Sequence, residues 1–252
     1  MNSELSIYPL QKYYKSTGAK DHPFFWVNGA SNLIPNLTQC INLTGFKSNI
    51  KDIETFENEN QNMLKDLFIK HGSDKFIHSY YKFYSKILFD KSDINILEIG
   101  IGTKNPNIPS TMFFYKQDKD FDSSPGSSLR AFRDFVPNSN IYGADVDKDI
   151  LFEEDRIKTE FVDQLDNNTI KDLFKDINFD FIVIDGLHHI TADLNSVLNL
   201  INRINNNGII VVEDINILEP WLIIDFIFSK IEGISTYIIK DIENYMYVIN
   251  KN

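Results

Sequence analysis

The sequence predicts an α/β protein. A mostly parallel seven-stranded sheet is expected, with helices on both faces, a C-terminal antiparallel hairpin and an N-terminal helical or irregular extension. Three observations carry this. From about residue 93, short apolar runs bounded by Gly, Asp or Asn alternate with helical patterns. That alternation places parallel strands in one layer between helices. The last two apolar runs are joined by only a few residues, so they must pair antiparallel.

Along the first ninety residues the texture differs. The aromatic cluster YPLQKYYK (8–15) and DHPFFWVNGASNLIPN (21–36) carry Pro, Gly and Asn punctuation without strand–helix alternation. In 54–74, Met63, Leu64, Leu67 and Phe68 have helical spacing, and His71-Gly72 reads as a helix stop. In 75–90, Ile77, Tyr80, Tyr81, Tyr84 and Leu88 make a second amphipathic helix.

The sheet follows. NILEIG (95–100) reads as the first buried strand and SSLRAFRDF (127–135) as a helix burying Leu129, Phe132 and Phe135. Further strands are expected at 140–147, 159–163, 179–186 and 208–214. Helices are expected at 167–177, 191–204 and 219–231. STYIIKD (235–241) and YMYVIN (245–250) form the closing hairpin. Five parallel strands with a terminal antiparallel pair is the pattern of a Rossmann-like class I methyltransferase. Residues 1–90 then form an extension that shapes an acceptor site, a lid or a homo-oligomer contact, and 91–252 the S-adenosylmethionine-binding domain.

Composition narrows the function. The formal charge is −11, and no Lys/Arg-rich run offsets it. Such a field repels nucleic acid and anionic membranes. No stretch of some twenty apolar residues supports membrane insertion. The N-terminal MNSELSIYPLQKYYK lacks the basic and apolar regions of a secretory signal, so a cytoplasmic location is expected. The single cysteine, Cys40, excludes an internal disulfide and a cysteine-rich zinc site. Abundant Ile, Asn, Asp and Lys fit an AT-rich coding genome.

ILEIGIG (96–102) ends the first strand. Gly100 and Gly102 let the backbone turn tightly and approach a ligand. GxG alone also suits a plain strand-to-helix turn. A dinucleotide fingerprint needs a third glycine where Asn105 stands. The Pro-, Phe- and Ser-rich segment 103–125 then delays the next helix, and is expected to face the substrate or cover the adenosyl group. Glu98, at the end of a buried strand, needs donors. In a methyltransferase it receives the methionine part of the cofactor, or orders waters around it. Asp145 ends the second strand, where an acid accepts hydrogen bonds from a ribose diol. Asp163 is placed for the adenine amino group, with Gln164 and Asp166 as alternatives.

At the fourth and fifth strands the acids Asp185, Glu213 and Asp214 converge on one sheet edge. Clustered carboxylates repel, and a hard divalent cation such as Mg²⁺ relieves them. One acid capping a helix and another facing solvent would be the plainer explanation. His188 stands three residues after Asp185, where a neutral imidazole can take a proton from a hydroxyl. Its neighbour His189 should point elsewhere, to pack or to bind backbone.

GSDKFIHSYY (72–81), LEIGIG (97–102), PGSSLRAF (125–132), IYGADVD (141–147), EEDRI (153–157), VIDGLHHI (183–190) and VVEDI (211–215) together resemble the macrolide (mycinamicin-type) sugar 2''-O-methyltransferase family. The resemblance spans roughly residues 70–220. It implies S-adenosylmethionine, Mg²⁺ and methylation of a sugar hydroxyl. It implies Asp185, Glu213 and Asp214 as metal ligands, with Asp185 also serving catalysis beside the base His188. Cofactor contacts fall on Glu98, Gly100, Gly102, Ser128, Asp145 and Asp163. The family's DDGSH reads IDGLHH here: Ile184 and Leu187 replace an acid and a serine, and His189 stands as a rival base. A small-molecule carbohydrate acceptor of capsule or lipopolysaccharide, or a nucleotide sugar, is expected. Lys75, Lys104, Arg130 and Arg133 are the cations offered to a phosphate. A nucleotide-sugar oxidoreductase and a non-catalytic cofactor-binding relative are the competing readings. A nucleic-acid methyltransferase is disfavoured by the charge and by the lack of an NPPY-type motif after the fourth strand.

Overall fold

The computed structural model describes residues 23–108 and 124–252. The cluster YPLQKYYK and most of the segment 103–125 lie outside the described residues. The chain divides into two compact units, Met1–Phe46 and Lys47–Asn252. The first contains helix α1, Pro23–Leu43. Residues 47–90, grouped with the extension by sequence, belong instead to the same unit as the sheet. Their apolar helical faces pack on it: Leu64, Phe68, Tyr84 and Leu88 share one buried cluster with Ile96, Phe181 and Val211. No helix among the described residues is long and apolar enough to cross a membrane.

The second unit is built on one nine-stranded sheet. Its strands are β1 (Ile50–Asp52), β2 (Asn95–Ile99), β3 (Asn140–Asp145), β4 (Glu153–Glu154), β5 (Ile157–Phe161), β6 (Phe179–Ile184), β7 (Ile204–Ile215), β8 (Ile234–Lys240) and β9 (Tyr245–Lys251). Their spatial order is β1-β8-β9-β7-β6-β2-β3-β5-β4. Strands β5, β3, β2, β6 and β7 run parallel, and β9 inserts antiparallel between β7 and β8. All seven expected strands are present. The two extra ones, β1 and β4, are edge strands of three and two residues, too short to leave a period in the sequence. Strand β7 starts earlier than expected, at Ile204, and is irregular there: Asn207 has φ 60° and the pairing with β6 shifts register between Ile204 and Ile209.

The helices of this unit are α2 (Gln61–His71), α3 (Tyr80–Leu88), α4 (Ser127–Phe135), α5 (Asn167–Asp172), α6 (Ile190–Leu200) and α7 (Glu219–Phe228). Side chains alternate across each strand, so neighbouring residues serve opposite cores. Ile96, Phe181, Val183, Val211, Met246 and Val248 face α2, α3 and α4, where they meet Leu64, Phe68, Tyr84 and Phe132. Leu97, Ile182, Ile184, Val212, Tyr247 and Ile249 face the other way, meeting Val197, Leu200, Trp221 and Phe228 of α6 and α7. The continuous apolar runs of the sequence are therefore strands buried on both faces.

Helix ends follow local chemistry. Gly72 stops α2 in the left-handed conformation, φ 74°. Asp166 caps α5, its carboxylate accepting from the Asn168 amide. That helix ends at Asp172 rather than 177, and Arg203 binds the carbonyls of Leu173, Phe174 and Ile177 that follow it. The strand order reverses around β2, with β3 on one side and β6 on the other. In open α/β sheets the ligand crevice lies at the carboxyl ends of the strands at such a point.

Candidate active site

A cleft of about 320 Å³ opens there, a volume typical of small-molecule sites. Its floor is the turn after β2. Gly100 has φ +90°, and a Cβ built on it would lie 2.0 Å from the Asp185 carbonyl oxygen. The Gly100 amide donates to the Ala144 carbonyl and the Asp185 amide to Ile99, each at 2.8 Å. The ends of β2, β3 and β6 are thus drawn too close for any residue but glycine. Gly102 also takes a positive φ, 83°.

Glu98 is fully buried at the cleft wall. Ser128, in the first turn of α4, donates to its Oε2 at 2.5 Å. No hydrogen bond reaches Oε1 among the described residues, although the Lys75 ammonium lies 3.2 Å from it. Burial pushes the Glu98 carboxyl up.

Asp145 closes β3 with both oxygens on backbone amides: Oδ2 accepts from Ile101 at 3.0 Å and Oδ1 from Asp147 at 2.9 Å. It therefore pins the glycine turn. Each oxygen retains a second lone pair for a hydroxyl donor. Burial raises its pKa, and these backbone donors pull it back. Asp163 lines the cleft and turns its own chain, accepting from the Leu165 amide at 2.9 Å. The alternatives to it are committed elsewhere. Gln164 binds the Leu187 amide and Ser196, and Asp166 is the helix cap already described.

At the far end of the cleft the structure brings Asp185, His188 and Asp214 together, with one ligand-type atom of each within 4.8 Å of the others. His188 Nε2 stands 3.8 Å from Asp185 Oδ1 and from Asp214 Oδ2. Those gaps are too long for direct hydrogen bonds. His188 and Asp214 both adopt positive φ, 51° and 53°, conformations uncommon outside glycine and typical of functional turns. Asp214 is fixed by the Tyr80 hydroxyl, 2.6 Å from Oδ1. Burial alone would raise its pKa, but His188, the Tyr80 hydrogen bond, His78 and Lys75 hold it below the usual range.

Glu213 is not part of this group. It is 2% exposed, and Lys75 Nζ lies 2.5 Å from its Oε2 while the Tyr84 hydroxyl donates to Oε1. The sequence leads to the expectation that a divalent cation relieves all three acids; in this structure the Lys75 ammonium stands against Glu213 and Asp185. Lys75 is thus no phosphate ligand. Arg130 and Arg133 are likewise engaged, both pairing with Glu154. His189 caps α6, its Nδ1 accepting from the Thr191 amide at 3.3 Å, which removes it from the cleft chemistry.

Asp193, on α6, was not anticipated. It is 4% exposed, and its carboxyl is pushed up to about 7 by burial, with His188 opposing and Asp185 adding a smaller rise. The ordinary value is about 3.9. The folded state therefore binds this proton more tightly than the unfolded chain. That contribution is complete below pH ~4 and is lost as pH rises through ~7. Asp193→Asn is expected to gain about 2–4 kcal/mol over wild type at pH 8, and almost nothing at pH 4. Urea unfolding at the two pH values measures this; equal differences at both would contradict it.

No family model matches the chain. A curated protein of Streptomyces olivaceus, 8-demethyl-8-alpha-L-rhamnosyl tetracenomycin-C 2'-O-methyltransferase, is 31% identical over 156 residues, which span 60% of this chain and 37% of that protein. Among solved structures, a methyltransferase of the mycinamycin biosynthetic pathway in complex with Mg, SAH and mycinamycin VI superimposes with a TM-score of 0.56. The identity is 22%, over 75% of this chain and 53% of that one. A crystal form of the same enzyme with Mg and SAH gives 26% identity and a TM-score of 0.49, over 60% of this chain and 36% of that one. The chain thus spans about a third to a half of the length of these relatives. The fold is that of a Rossmann-like methyltransferase.

Proposed function

We propose that this chain is an S-adenosylmethionine-dependent, Mg²⁺-assisted O-methyltransferase acting on a sugar hydroxyl. One observation carries the proposal. A single cleft joins the glycine turn, Glu98 and Asp145 to the Asp185–His188–Asp214 group. The sequence relative is named as a sugar 2'-O-methyltransferase, and the superimposed structure is a mycinamycin-pathway methyltransferase in complex with Mg, SAH and mycinamycin VI.

The residues fit both groups. Asp145 suits the ribose hydroxyls, the turn through Gly100 and Gly102 admits the backbone approach, and Glu98, at the cleft wall, is assigned to the methionine part of the cofactor. Ser128 holds Glu98 in place, and Asp163, at the cleft wall, is assigned to the adenine amino group. Asp185 Oδ1 and Asp214 Oδ2 are the oxygens offered to a cation, a donor set suited to Mg²⁺. When bound, S-adenosylmethionine supplies the methyl group and a divalent cation makes a nearby hydroxyl more acidic. His188 faces the same space and takes the hydroxyl proton at Nε2. Glu98 and Asp145 orient the donor, and the apolar Val146 and Leu165 border its cleft.

The retained acid–histidine group disfavours a non-catalytic relative. The missing third glycine and the antiparallel β9 disfavour an oxidoreductase. The acceptor reading goes one step further: a saccharide of capsule or lipopolysaccharide, or a nucleotide sugar. It rests on the amino-acid composition, whereas the relatives are named for antibiotic glycosides. Transfer from methyl-labelled S-adenosylmethionine to a panel of glycosides and nucleotide sugars, with and without EDTA, tests the proposal. Chelator-sensitive labelling of a sugar is expected. Labelling unaffected by EDTA would remove the cation from the account.

A further inference from the structure

After β6 the chain runs through Asp185, Gly186, Leu187 and His188 into the cap of α6. Both ends of this turn are tied down. The Asp185 amide donates to the Ile99 carbonyl at 2.8 Å, and His189 caps the helix. Between these anchors the turn has little to hold it. Leu187 is 39% exposed and buries no side chain as an anchor. His188 takes φ 51°, a costly conformation outside glycine.

Gln164 holds the middle. Its Oε1 accepts from the Leu187 amide at 2.8 Å, a well-formed bond. Among the described residues, no second hydrogen bond reaches the backbone of Gly186, Leu187 or His188. A Cβ on Gly186 would lie 2.1 Å from Gln164 Oε1 and 2.8 Å from its Cδ. The glycine therefore stands where the Gln164 carboxamide fills the space of a side chain. Gln164 is itself 7% exposed and fastened twice to α6. Its Nε2 donates to Ser196 Oγ at 3.0 Å, and its carbonyl accepts from Asn195 Nδ2 at 3.2 Å. Ser196 spends its own proton on the Ala192 carbonyl, so the donor and acceptor ends of the carboxamide are both assigned.

Gln164 also directly follows Asp163 at the proposed adenine site. That loop is pinned independently of the turn. The Val162 amide donates to the Asp145 carbonyl at 2.9 Å, and the Asp163 amide to the Thr169 hydroxyl at 3.0 Å. One buried side chain thus links the cofactor loop to the turn that carries the base.

We propose that Gln164 is a positioning residue: its carboxamide sets the Gly186–His188 turn against the adenine-side loop and so fixes His188 relative to the methyl donor. This rests on the reading of His188 as the base. A glutamine that only filled space would be replaceable by a side chain of similar length without the oxygen.

The test is amide hydrogen exchange by NMR on the full chain, with the imidazole resonances of ¹³C-histidine protein recorded alongside. In wild type the Leu187 amide is expected to exchange at least about tenfold more slowly than an unstructured amide, despite its exposed side chain. Exchange at the unstructured rate overturns the proposal without any variant. Gln164→Met should speed Leu187 exchange about tenfold and shift the His188 resonances, while those of His71 stay in place. The core amides of Val183 and Val211 should keep wild-type rates, which separates a loosened turn from a general loss of stability. Gln164→Glu keeps an oxygen for the Leu187 amide and should restore its exchange to within about threefold of wild type. Turnover of the sugar labelled in the acceptor panel should fall about tenfold in Q164M, with KM for S-adenosylmethionine within about threefold of wild type. Gly186→Ala displaces the carboxamide by another route and should loosen Leu187 in the same way, which decides the matter if Q164M does not fold. Unchanged exchange at Leu187, or an equal rise at Val183 and Val211, overturns this inference alone. So does faster exchange with undiminished turnover. Wild-type turnover in His188→Ala overturns the base reading and this inference with it.

Discussion

His188→Ala is expected to slow methyl transfer by about 10²–10⁴-fold, the usual contribution of a positioned general base. Affinity for S-adenosylhomocysteine should stay within about threefold of wild type, since no proposed cofactor contact is lost. The reasoning is geometric. Nε2 stands 3.8 Å from a carboxylate oxygen on either side, so the imidazole borders a gap that a substrate oxygen can enter. His189→Ala is the matched control. It removes the cap on α6 and should cost about 1 kcal/mol of stability while leaving turnover near wild type. Steady-state rates and urea melts of both variants check the pair. Equal losses of activity would refute the separation of roles. The imidazole also lies within ligand distance of the two acids. A tenfold loss of Mn²⁺ affinity in His188→Ala would make it a ligand and not the base.

Gly100→Ala should abolish cofactor binding and destabilise the chain by about 3 kcal/mol or more. Two penalties add. The residue sits at φ +90°, and its new methyl group would meet the Asp185 carbonyl at 2.0 Å and the Gly186 Cα at 2.6 Å. Both neighbours are backbone at the end of β6, so relief must move the Asp185 turn itself. Gly233→Ala separates the terms. It has φ +76° but nothing within 4 Å of the added Cβ, so only the backbone term remains, about 1–2 kcal/mol. Thermal unfolding and S-adenosylhomocysteine titration of the two variants measure the difference. Similar losses in both would mean that crowding at β6 is unimportant.

Much of this was legible in the chain. Apolar runs such as FIVI (181–184) announce strands buried on both faces, and Gly72 announces the end of α2. The carboxyl ends of those strands then locate Glu98, Asp145, Asp185 and Asp214 at one crevice. What remained hidden depends on long-range packing. Lys75 lies 110 residues from Asp185 and 138 from Glu213 along the chain, so no spacing rule links them. A lysine is almost never buried unless paired, and pairing is a property of the fold. The same holds for Tyr80 and Tyr84, whose helical spacing shows that they are buried but not that their hydroxyls hold Asp214 and Glu213. The histidine pair could be divided only by backbone geometry: His188 turns through positive φ, and His189 resumes extended φ −119° to cap a helix. Strands β1 and β4 were missed because pairing at the edges, not hydrophobic period, defines them.

The central claim is that the cleft over the glycine turn holds an S-adenosyl cofactor. Calorimetric titration of S-adenosylhomocysteine into the full chain tests it without any knowledge of the acceptor. One site per chain is expected, with a dissociation constant of about 1–100 µM, weakened at least tenfold by Glu98→Gln and undetectable in Gly100→Ala. NAD should not bind. Saturable NAD binding with no heat from S-adenosylhomocysteine would contradict the account.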